Sequence, residues 1–466
     1  MINNLLNKTI AILGLGKSGM SVLKALKQRG VHVIAWDDKE ELRREAAATG
    51  ARVADLRLEN FGGIEYLVIS PGIAHTYPEP HPVAAKAKAA GTPIIDDLEL
   101  FVSTYTDANY IGITGTNGKS TTVALIYHIL KENGISAEIG GNFGVPVFDL
   151  PELGADGWYV LELSSYQIEL TPSLDLDIAA LLNITPDHLA RHNGMQGYIA
   201  VKKQIFRRKT KAEGTNIVAT DDANTRKIYK ELLASSPKKI KNIAVSSHSH
   251  TDGIHVSAKG MLIEKDREIA DLKQLENLRG RHNWQNIATA FAATRAAGLP
   301  AGKIVKAIAS FKPLDHRQQY IGNFAGITFI NDSKATDAEA VLPALETFRE
   351  IYWIIGGRAK EGGIKSLLPI VPKRVSRAFA IGECEKQFYG DVKSLVPSKR
   401  CGRLDKAVMK AFKYALKDLK KGKVKNPVIL LSPATASWDQ YKCFEDRGLH
   451  FAQIFEKIKE KYKNKC

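Results

Sequence analysis

Short apolar runs alternate with amphipathic, helix-like stretches along nearly the whole chain, and the alternation falls into three series. The first series occupies residues 1 to about 97, and its apolar runs are 10–13, 31–36, 66–69 and 93–95. Strands that alternate with helices in this way are typical of βαβ units, whose strands form a parallel sheet. The pattern therefore predicts a small α/β domain at the start of the chain.

A second series of the same kind follows and contains one segment without helix-like stretches. Between residues 241 and 269, short apolar runs are separated by Gly and Asp turns, which is typical of a small antiparallel patch at the side of a sheet. The runs that predict parallel strands in this series are 110–114, 158–162, 178–183 and 215–219. We therefore expect a mostly parallel sheet in the middle of the chain.

The third series begins after residues 311–313 and repeats the α/β pattern. Its apolar runs are 327–331, 352–356, 378–381 and 427–431. No short-period repeat interrupts the three series, and this excludes a solenoid. The sequence thus predicts an α/β protein of three domains, which we place at residues 1–97, 98–313 and 314–466.

Composition narrows the class of protein further. The chain has 466 residues, of which 44% are hydrophobic and 25% charged, as expected for a globular protein of two or three domains. No apolar stretch approaches the roughly 20 residues of a membrane-spanning helix, so we expect no membrane insertion. The cysteines form no CxxC pair and fit a reducing cytoplasm, which is the location we predict. They are Cys384, Cys401, Cys443 and Cys466.

The chain is basic, with 66 Lys and Arg residues against 50 Asp and Glu residues and a formal charge of +16. Such an excess is compatible with polyanionic ligands or with nucleic acid. Much of it is scattered or lies in the tracts 417–425 and 457–465, without interleaved aromatic residues or a helix-turn-helix pattern. We therefore interpret the charge as a solvated basic surface and expect no nucleic-acid partner.

One turn carries the residues of a phosphate-binding loop. It lies between the apolar run 110–114 and a helix-like stretch, and its glycines allow successive backbone N–H groups to face one anion. Ile113 stands where the general pattern has its first glycine, so the loop is a shortened variant. The lysine would neutralise the β- and γ-phosphates, and a hydroxyl would bind Mg²⁺. The loop residues are Gly115, Thr116, Asn117, Gly118, Lys119, Ser120 and Thr121.

Polar residues follow the next apolar runs as well. Glu162 ends the run 158–162, at the edge where open α/β sheets bind ligands, and is a candidate Mg²⁺ ligand. His188 follows the run 178–183 in a turn, where it could coordinate a metal or orient an anion. Lys202 lies in a helix-like stretch next to Lys203, and by itself this pattern predicts a solvated pair.

Together these residues resemble the Mur ligase superfamily, whose members share the Gly-Thr-Asn-Gly-Lys-Ser loop, the strand-end Glu and the Asp-His turn. The resemblance spans nearly the whole chain in the family's order. It implies a Rossmann-like N-terminal domain, a central P-loop ATPase-like domain with a mostly parallel sheet, and a Rossmann-like C-terminal domain. Further matching motifs are residues 281–286, 314–317, 331–336, 431–441 and 444–448, the last three resembling members that add D-glutamate.

The resemblance also implies roles for individual residues around ATP. Ser120, Glu162 and His188 would serve two Mg²⁺ ions together with Lys202, at the position that this family carbamylates with CO₂. A neutral lysine amine that captures CO₂ becomes an anionic oxygen donor, which suits Mg²⁺ better than an ammonium group would. The residues that would contact adenine, phosphates and ribose are Asn286, Arg317, Asp332 and Lys334.

The two other substrates would bind at the ends of the chain. The residues matching the family's D-glutamate pocket are Thr336, Lys360, Ser437 and Phe444. Those matching the site for the uridine-nucleotide precursor are Gly14, Leu15, Gly16, Lys17, Ser18, Asp37, Ser70, Pro71, Gly72 and Asn142. This chain departs from the family at Arg358 and Ala190, where relatives commonly carry acidic residues. We expect only local rearrangement at Ala190.

The N-terminal glycines alone permit another interpretation. Gly14, Gly16 and Gly19, with Asp37 about 20 residues further on, satisfy the dinucleotide fingerprint of NAD-dependent oxidoreductases. UDP meets the same geometry, because its diphosphate also approaches a helix start closely. The phosphate loop one domain later supplies an ATP site that a simple dehydrogenase does not need, and this favours UDP.

The expected function is therefore ligation. The implied reaction joins D-glutamate to UDP-N-acetylmuramoyl-L-alanine through an acyl phosphate, with ATP as the third substrate, during peptidoglycan precursor synthesis. We expect a monomer. Two alternatives remain open at this point: another amide ligase of the superfamily, similar to folylpolyglutamate synthetase, and a P-loop ATPase that binds nucleic acid. The C-terminal run 432–437 argues against the first alternative.

Overall fold

The structure is a computed structural model of the chain and describes residues 5–275, 278, 280–359 and 363–463. It contains two compact units. The first comprises residues 1–274 and 283–311, and the second comprises residues 275–282 and 312–466. The strands form three sheets, as the three series predicted, and the first unit contains two of them. The finer division at residues 97 and 313 stays a prediction.

The first sheet is a five-stranded parallel sheet with the order β3-β2-β1-β4-β5. Its strands are β1 Thr9–Leu13, β2 His32–Trp36, β3 Arg52–Val53, β4 Ile64–Ile69 and β5 Ile94–Ile95. The connecting helices are α1 Lys17–Gln28, α2 Glu40–Ala48, α3 Pro82–Ala89 and α4 Asp97–Val102. In the central strands β1 and β4, residues 10–13 and 67–69 are buried and apolar on both faces, as expected for a parallel sheet that helices cover.

The second sheet has nine strands in the order β14-β13-β12-β11-β10-β9-β6-β8-β7. The strands β7 to β12 pair in parallel, and β13 and β14 add the antiparallel edge that the Gly and Asp turns predicted. The strands are β6 Asn109–Thr114, β7 Ala137–Gly141, β8 Trp158–Glu162, β9 Ile178–Leu181, β10 Gly214–Ala219, β11 Ile240–Ser246, β12 Ile254–Val256, β13 Met261–Glu264 and β14 Arg267–Asp271. The helices are α5 Lys119–Glu132, α6 Ser165–Leu170, α7 Met195–Lys203, α8 Ala223–Ser235, α9 Arg281–Ala296 and α10 Ala301–Ser310.

The second unit is built on a six-stranded sheet with the order β15-β16-β20-β17-β18-β19. Only the β15–β16 pair is antiparallel among these strands. The strands are β15 Gln319–Phe324, β16 Ile327–Asn331, β17 Ile351–Gly356, β18 Val375–Ile381, β19 Ser398–Gly402 and β20 Val428–Leu431. The helices are α11 Ala338–Thr347, α12 Val371–Arg374, α13 Glu385–Val392, α14 Leu404–Lys420 and α15 Phe444–Tyr462.

Helices on both faces of these sheets close separate apolar cores. In the second unit, one core lies on the α11 and α13 side, around Trp353 and Phe388, and another lies on the α14 and α15 side, around Phe379 and Phe451. The predicted α/β fold class is confirmed. Among the described residues, no helix is long and apolar enough to cross a membrane.

Candidate active site

Adjacent strands of the nine-stranded sheet bring the phosphate-site candidates to one edge. β9, β6 and β8 are neighbours and run in parallel, so the turns that follow them meet at the carboxyl edge. Thr114 ends β6, Glu162 ends β8, and Asn183 lies just beyond β9. β7, next to β8, brings Asn142 to the same edge. The order of the strands thus assembles residues that are far apart in the sequence.

The phosphate loop begins α5 through a glycine in the left-handed region. Gly118 has φ 87° and is the residue that caps α5. A Cβ atom at this position would lie 2.4 Å from the side-chain oxygen of Asn286. The Thr122 hydroxyl donates a 3.2 Å hydrogen bond to that same oxygen. Asn286 therefore packs directly on the start of the phosphate helix, and its proposed contact with adenine stays a prediction.

Two polar side chains of this loop are held in defined positions. The Lys119 ammonium donates to the carbonyl oxygens of Gly115 at 2.8 Å and Thr116 at 2.7 Å. The Ser120 hydroxyl donates a 2.5 Å hydrogen bond to Glu162 Oε2, and both side chains are buried. A cation thus lies over the loop, and a hydroxyl and a carboxylate lie in contact at its helix end.

Asn142 holds the other oxygen of the same carboxylate. Its side-chain amide donates to Glu162 Oε1 at 2.7 Å, and its backbone N–H donates to the Glu162 carbonyl at 2.9 Å. The preceding Gly141 has φ 91°, and a Cβ there would lie 2.3 Å from the Glu162 carbonyl oxygen. This close approach requires glycine. Asn142 thus orients Glu162, and its predicted contact with the precursor stays a prediction.

Lys202 is buried, with 1% of the residue exposed, so the pattern-based prediction of a solvated pair was wrong for this residue. Its Nζ atom donates to Thr114 Oγ1 at 3.2 Å and to the Gly115 carbonyl at 2.9 Å, and it lies 4.8 Å from the centre of the Tyr198 ring. Burial, and next the charge of Lys119, lower the pKa of Lys202 well below its usual range. The amine is therefore poised to be neutral.

His188 lies in a turn whose two ends have left-handed backbone conformations. Its own φ is 51°, and that of Asn193 is 52°. The imidazole Nε2 lies 3.4 Å from Asp187 Oδ2, and the ring centre lies 5.1 Å from that of Tyr166. Within the described residues, no cluster of three or more His, Cys, Asp and Glu side chains has metal-binding geometry. The proposed participation of His188 in a metal site stays a prediction.

Asn183, to which no sequence motif assigned a role, fixes the phosphate loop. Its carbonyl accepts from the N–H of Thr116 at 2.9 Å, and its side-chain oxygen accepts from the N–H of Asn117 at 2.8 Å. Its side-chain amide donates to the Asn117 carbonyl at 3.1 Å and to Gln285 at 3.1 Å. The Asn that ends the apolar run 178–183 was the available signal, because the strand order places it against the loop.

The first sheet assembles the candidate precursor site in the same way. β2, β1 and β4 are neighbours, and the turns after them carry Asp37, Gly14 and Ser70. Asp37 Oδ2 accepts from the N–H of Leu15 at 2.7 Å, and the Ser70 hydroxyl donates to the Gly14 carbonyl at 3.1 Å. Gly14 has φ 91°, and a Cβ there would lie 2.6 Å from the Ser70 hydroxyl. Gly16, Lys17 and Ser18 begin α1, and Pro71 and Gly72 follow Ser70.

Asp332 is the main candidate nucleotide residue of the second unit, at the end of β16. Its carboxylate accepts from Ser432 Oγ at 2.7 Å and from the N–H of Gln318 at 3.1 Å, next to the candidate residue Arg317. Burial raises the pKa of Asp332 to about 7, against the effect of these two hydrogen bonds. The adjacent strand β20 supplies Ser432, so the sheet order again creates the contact.

This raised pKa predicts that Asp332 weakens the fold as pH rises. The pKa of Asp332 is about 7 in the folded state and about 3.8 in the unfolded chain. The contribution of Asp332 to the free energy of unfolding is therefore fully present below about pH 4, decreases as the pH rises towards 7 and is constant above that. Relative to Asp332→Asn, the wild type should lose on the order of 2 kcal/mol of unfolding free energy between pH 5 and pH 8. Urea unfolding at a series of pH values measures this difference.

Asp418→Asn is the matched control for that prediction. Burial raises the pKa of Asp418, but hydrogen bonds from Tyr352 and Arg377 outweigh it and hold the pKa below its ordinary value. Its contribution to stability should be lost as pH falls, which is the opposite sign. Identical pH profiles for the wild type and Asp332→Asn would contradict the assignment.

Three candidate D-glutamate residues are among the described residues: Thr336 in the loop after β16, Ser437 in the loop after β20 and Phe444 at the start of α15. The Lys334 ammonium lies 4.3 Å from the centre of the Phe444 ring, a favourable cation–π contact. Ser437 is buried, and its carbonyl accepts from the N–H groups of Gln440 and Tyr441. Thr336 is partly buried in the same loop as Lys334. Lys360, the fourth candidate, lies outside the described residues.

Arg447 joins these segments, and the sequence analysis gave it no role although it stands in a quoted motif. It is buried and donates to Ser333 Oγ at 3.0 Å, to the Ser333 carbonyl at 2.8 Å and to the Thr435 carbonyl at 3.1 Å. Ser333 Oγ in turn donates to the Phe444 carbonyl at 2.8 Å. Burial lowers the pKa of Arg447 to about 10. One guanidinium group thus fixes three segments that carry candidate residues.

The two departures from the family pattern have local consequences. Arg358 Nε lies 3.0 Å from Glu383 Oε2, and both side chains are more than half exposed. Its charge is therefore neutralised at the surface. Ala190 is exposed within the turn that contains His188.

Comparison with known proteins gives one family over the whole length. The profile described as "Mur ligase MurD-like, N-terminal domain" matches residues 8–96, and that described as "Mur ligase middle domain" matches residues 113–294. The UDP-N-acetylmuramoylalanine–D-glutamate ligase of Paramagnetospirillum magneticum is 45% identical, covering 96% of each chain. The Rhodospirillum rubrum protein of that name is also 45% identical, covering 96% of this chain and 94% of its own.

Solved structures support the same fold. The UDP-N-acetylmuramate-alanine ligase MurC of Thermotoga maritima matches 97% of this chain and 99% of its own with a TM-score of 0.58 and 17% identity. A MurF structure from Acinetobacter baumannii matches 95% of this chain and 93% of its own with a TM-score of 0.58 and 16% identity. At these identities the likeness shows the fold alone.

Proposed function

The chain belongs to the Mur ligase family, and from this premise we propose that it joins D-glutamate to UDP-N-acetylmuramoyl-L-alanine with conversion of ATP to ADP and phosphate. The observation that carries the proposal is the likeness to ligases of that name over 96% of the chain. The reaction supplies a peptidoglycan precursor. Because ATP and nucleotide-linked sugars are cytoplasmic metabolites, we place the activity in the cytoplasm. A monomeric enzyme stays a prediction.

The reaction has two chemical steps. First, the alanine carboxylate of the precursor attacks the γ-phosphorus of ATP, the bond from that phosphorus to the bridging oxygen breaks, and ADP leaves an acyl phosphate. Second, the neutral amine of D-glutamate attacks the acyl carbon, and a tetrahedral intermediate expels phosphate while the nitrogen loses a proton. The product is an amide. Lys119 would offset negative charge on the transferring phosphoryl group. Such electrostatic stabilisation of the transition state is the main cause of rate acceleration in phosphoryl transfer.

The oxygen donors at the end of the phosphate loop fit Mg²⁺. Ser120 Oγ and Glu162 Oε2 are 2.5 Å apart, and hydroxyl and carboxylate oxygens are the donors that this hard cation prefers. Bound there, Mg²⁺ would neutralise charge on the phosphate oxygens of ATP. We propose that Ser120, Glu162, His188 and carbamylated Lys202 hold two ions.

The Lys202 environment supports the carbamate. Its two hydrogen-bond acceptors, Thr114 Oγ1 and the Gly115 carbonyl, match the two N–H groups of a neutral amine and leave its lone pair available. The lone pair attacks the carbon of CO₂, the nitrogen loses one proton, and a carbamate anion results. The charge of that anion would lie near the cation of Lys119, which already influences Lys202.

The remaining roles follow the order of the sheets. We assign precursor binding to residues 1–97, ATP binding to residues 98–313 and D-glutamate binding to residues 314–466. Asn286 would contact the nucleotide, and the segment 314–466 would add Arg317, Asp332 and Lys334 to the same nucleotide site. Thr336, Lys360, Ser437 and Phe444 would contact D-glutamate, with Lys360 gripping a carboxylate.

The decisive experiment is phosphate release from ATP across a panel of additions. The proposal requires release to depend on both D-glutamate and the uridine precursor, with an amide product of matching amount. Release stimulated by DNA or RNA alone would favour a nucleic-acid-binding ATPase, and equal activity with folate and L-glutamate would favour another amide ligase. Equal ATP consumption with and without the two cosubstrates would refute ligation.

A further inference from the structure

Two segments of the first unit, far apart in sequence, are tied together by one arginine. The first is the precursor loop, residues 70–77, which follows β4 and begins with Ser70. The second is the histidine turn, residues 187–192, which contains His188. Arg191 in the histidine turn donates to the Ile73 carbonyl at 2.8 Å and to the Tyr77 carbonyl at 3.1 Å. A single guanidinium group thus holds two carbonyls of the precursor loop.

The precursor loop in turn packs against the first phosphate turn. The N–H of Ile73 donates to the Ser70 carbonyl at 2.9 Å, closing a tight turn. A Cβ added to Gly14 would lie 2.9 Å from Ile73 Cδ1 and 2.6 Å from Ser70 Oγ. A displacement of Ile73 would therefore change the packing around Gly14, the glycine that we assign to the precursor diphosphate.

The same arginine packs on the aromatic ring that contacts His188. The Arg191 guanidinium carbon lies 5.0 Å from the centre of the Tyr166 ring, and the His188 ring centre lies 5.1 Å from it. The backbone N–H of Arg191 also donates to the His188 carbonyl at 2.9 Å. Arg191 thus contacts both Tyr166 and the turn that presents His188.

A partly buried carboxylate reinforces the connection between the two segments. Glu169 on α6 has Oε1 at 3.3 Å from His75 Nε2 of the precursor loop and Oε2 at 3.9 Å from His192 Nδ1 of the histidine turn. His192 Nε2 forms a 2.8 Å hydrogen bond with Ser165 Oγ, and its ring stacks on Tyr166. The two segments are therefore connected twice, through Arg191 and through Glu169.

From these contacts we propose that Arg191 is a positioning residue that couples binding of the uridine precursor to the placement of His188. This inference rests on the proposed function, which assigns the precursor to the loop beginning at Ser70. Arg191 touches neither ATP nor D-glutamate in this scheme. Its guanidinium makes charge-assisted hydrogen bonds to the two carbonyls through separate nitrogens, Nη1 and Nη2, a planar fork that the single nitrogen of a lysine ammonium does not supply.

The test compares Arg191→Ala and Arg191→Lys with the wild type by calorimetric titration of UDP-N-acetylmuramoyl-L-alanine. We expect the dissociation constant of the precursor to rise about 10-fold in the alanine variant and less in the lysine variant, while that of ATP changes less than about twofold. Added ethylguanidinium should restore part of the affinity of the alanine variant. At saturating precursor, the Mg²⁺ concentration for half-maximal phosphate release should also rise, because the histidine turn is released.

Arg207→Ala is the matched control. Like Arg191, Arg207 donates to a backbone carbonyl, but this carbonyl is that of Ile168 on α6, at 3.0 Å, and Arg207 also donates to the Gln204 side chain at 2.7 Å. Its precursor affinity should stay within about twofold of the wild type. Unchanged precursor affinity in Arg191→Ala overturns the inference, and so does unchanged affinity in Arg191→Lys if the alanine variant does not fold. A wild-type protein that does not bind the precursor would instead refute the proposed function.

Discussion

Replacement of Lys202 with alanine should lower kcat about 1,000-fold. In the proposed reaction, Lys202 carries the carbamate that helps to hold Mg²⁺ at the transferring phosphate, and loss of one such electrostatic contact in a buried site typically costs a factor of 100 to 1,000, taken here as about the upper value. Burial, and next the charge of Lys119, lower the pKa of Lys202, which favours the neutral amine that can capture CO₂. The loss should appear in single-turnover phosphate release at saturating substrates.

Two further measurements test the origin of that loss. Short carboxylic acids such as formate or acetate should restore activity to Lys202→Ala and leave the wild type unchanged, because they return the missing carboxylate oxygens. With ¹³C-labelled bicarbonate, the wild type should show a carbamate signal in its carbon NMR spectrum, and the variant should lack it. The NMR signal and the rescue are independent measurements. A fully active Lys202→Ala variant would refute the assignment of a carbamate to Lys202, and so would the absence of the carbamate signal in the wild type.

Lys203→Ala is the matched control for Lys202→Ala. Lys203 is the next residue on α7, but its ammonium points to the surface, where it pairs with Glu231 at 2.6 Å. Its removal should change kcat less than about twofold, since exposed ion pairs contribute little. The comparison separates loss of a buried amine from loss of a lysine charge on the same helix.

Much of the fold follows from the apolar pattern because parallel strands are buried on both faces. β8 and β16, for example, have the bounds that the pattern predicted. The pattern missed β7, Ala137–Gly141, and β19, Ser398–Gly402, which contain glycines or charged residues. β7 and β19 are edge strands, where one neighbour and one covered face suffice, and their sequences therefore lack a continuous apolar run.

The site was predictable as far as backbone chemistry determines it. Phosphate binding was indicated by Gly115, Gly118 and the strand-end Glu162, because glycines in a turn between a strand and a helix are typical of phosphate loops. The burial of Lys202 next to the exposed Lys203 could not be deduced from composition, since it depends on how α7 packs against the phosphate loop. Only the strand order shows that Asn183 supports that loop.

Asp37 shows the opposite limit of sequence reasoning. The fingerprint and the family resemblance assigned Asp37 to the uridine-nucleotide site. In the structure, its two oxygens accept from the backbone N–H groups of Leu15, at 2.7 Å, and Lys39, at 2.9 Å. An acidic residue at this spacing therefore fixes the phosphate turn itself, and its contact with uridine stays a prediction.

Replacement of Lys119 with alanine should also lower kcat by roughly 1,000-fold, with little effect on the fold. The lysine would spread charge on the phosphoryl group as it passes from ATP to the precursor, so its loss should act on the transfer step. The loop should persist without it, because Lys202 also donates to the Gly115 carbonyl, at 2.9 Å, and Asn183 holds Thr116 and Asn117. Calorimetric unfolding should therefore be nearly unchanged.

The affinity for the uridine precursor distinguishes a chemical role of Lys119 from a general disturbance of the first unit. Because the precursor is assigned to the turn at Gly14, which lies on another sheet, its dissociation constant in Lys119→Ala should stay within about twofold of the wild type. Lys131→Ala is the control on the same helix, since Lys131 lies in the last turn of α5, 5.9 Å from the Tyr127 ring centre. If Lys119→Ala instead turns over normally while Lys131→Ala does not, the phosphate loop is not where ATP is activated.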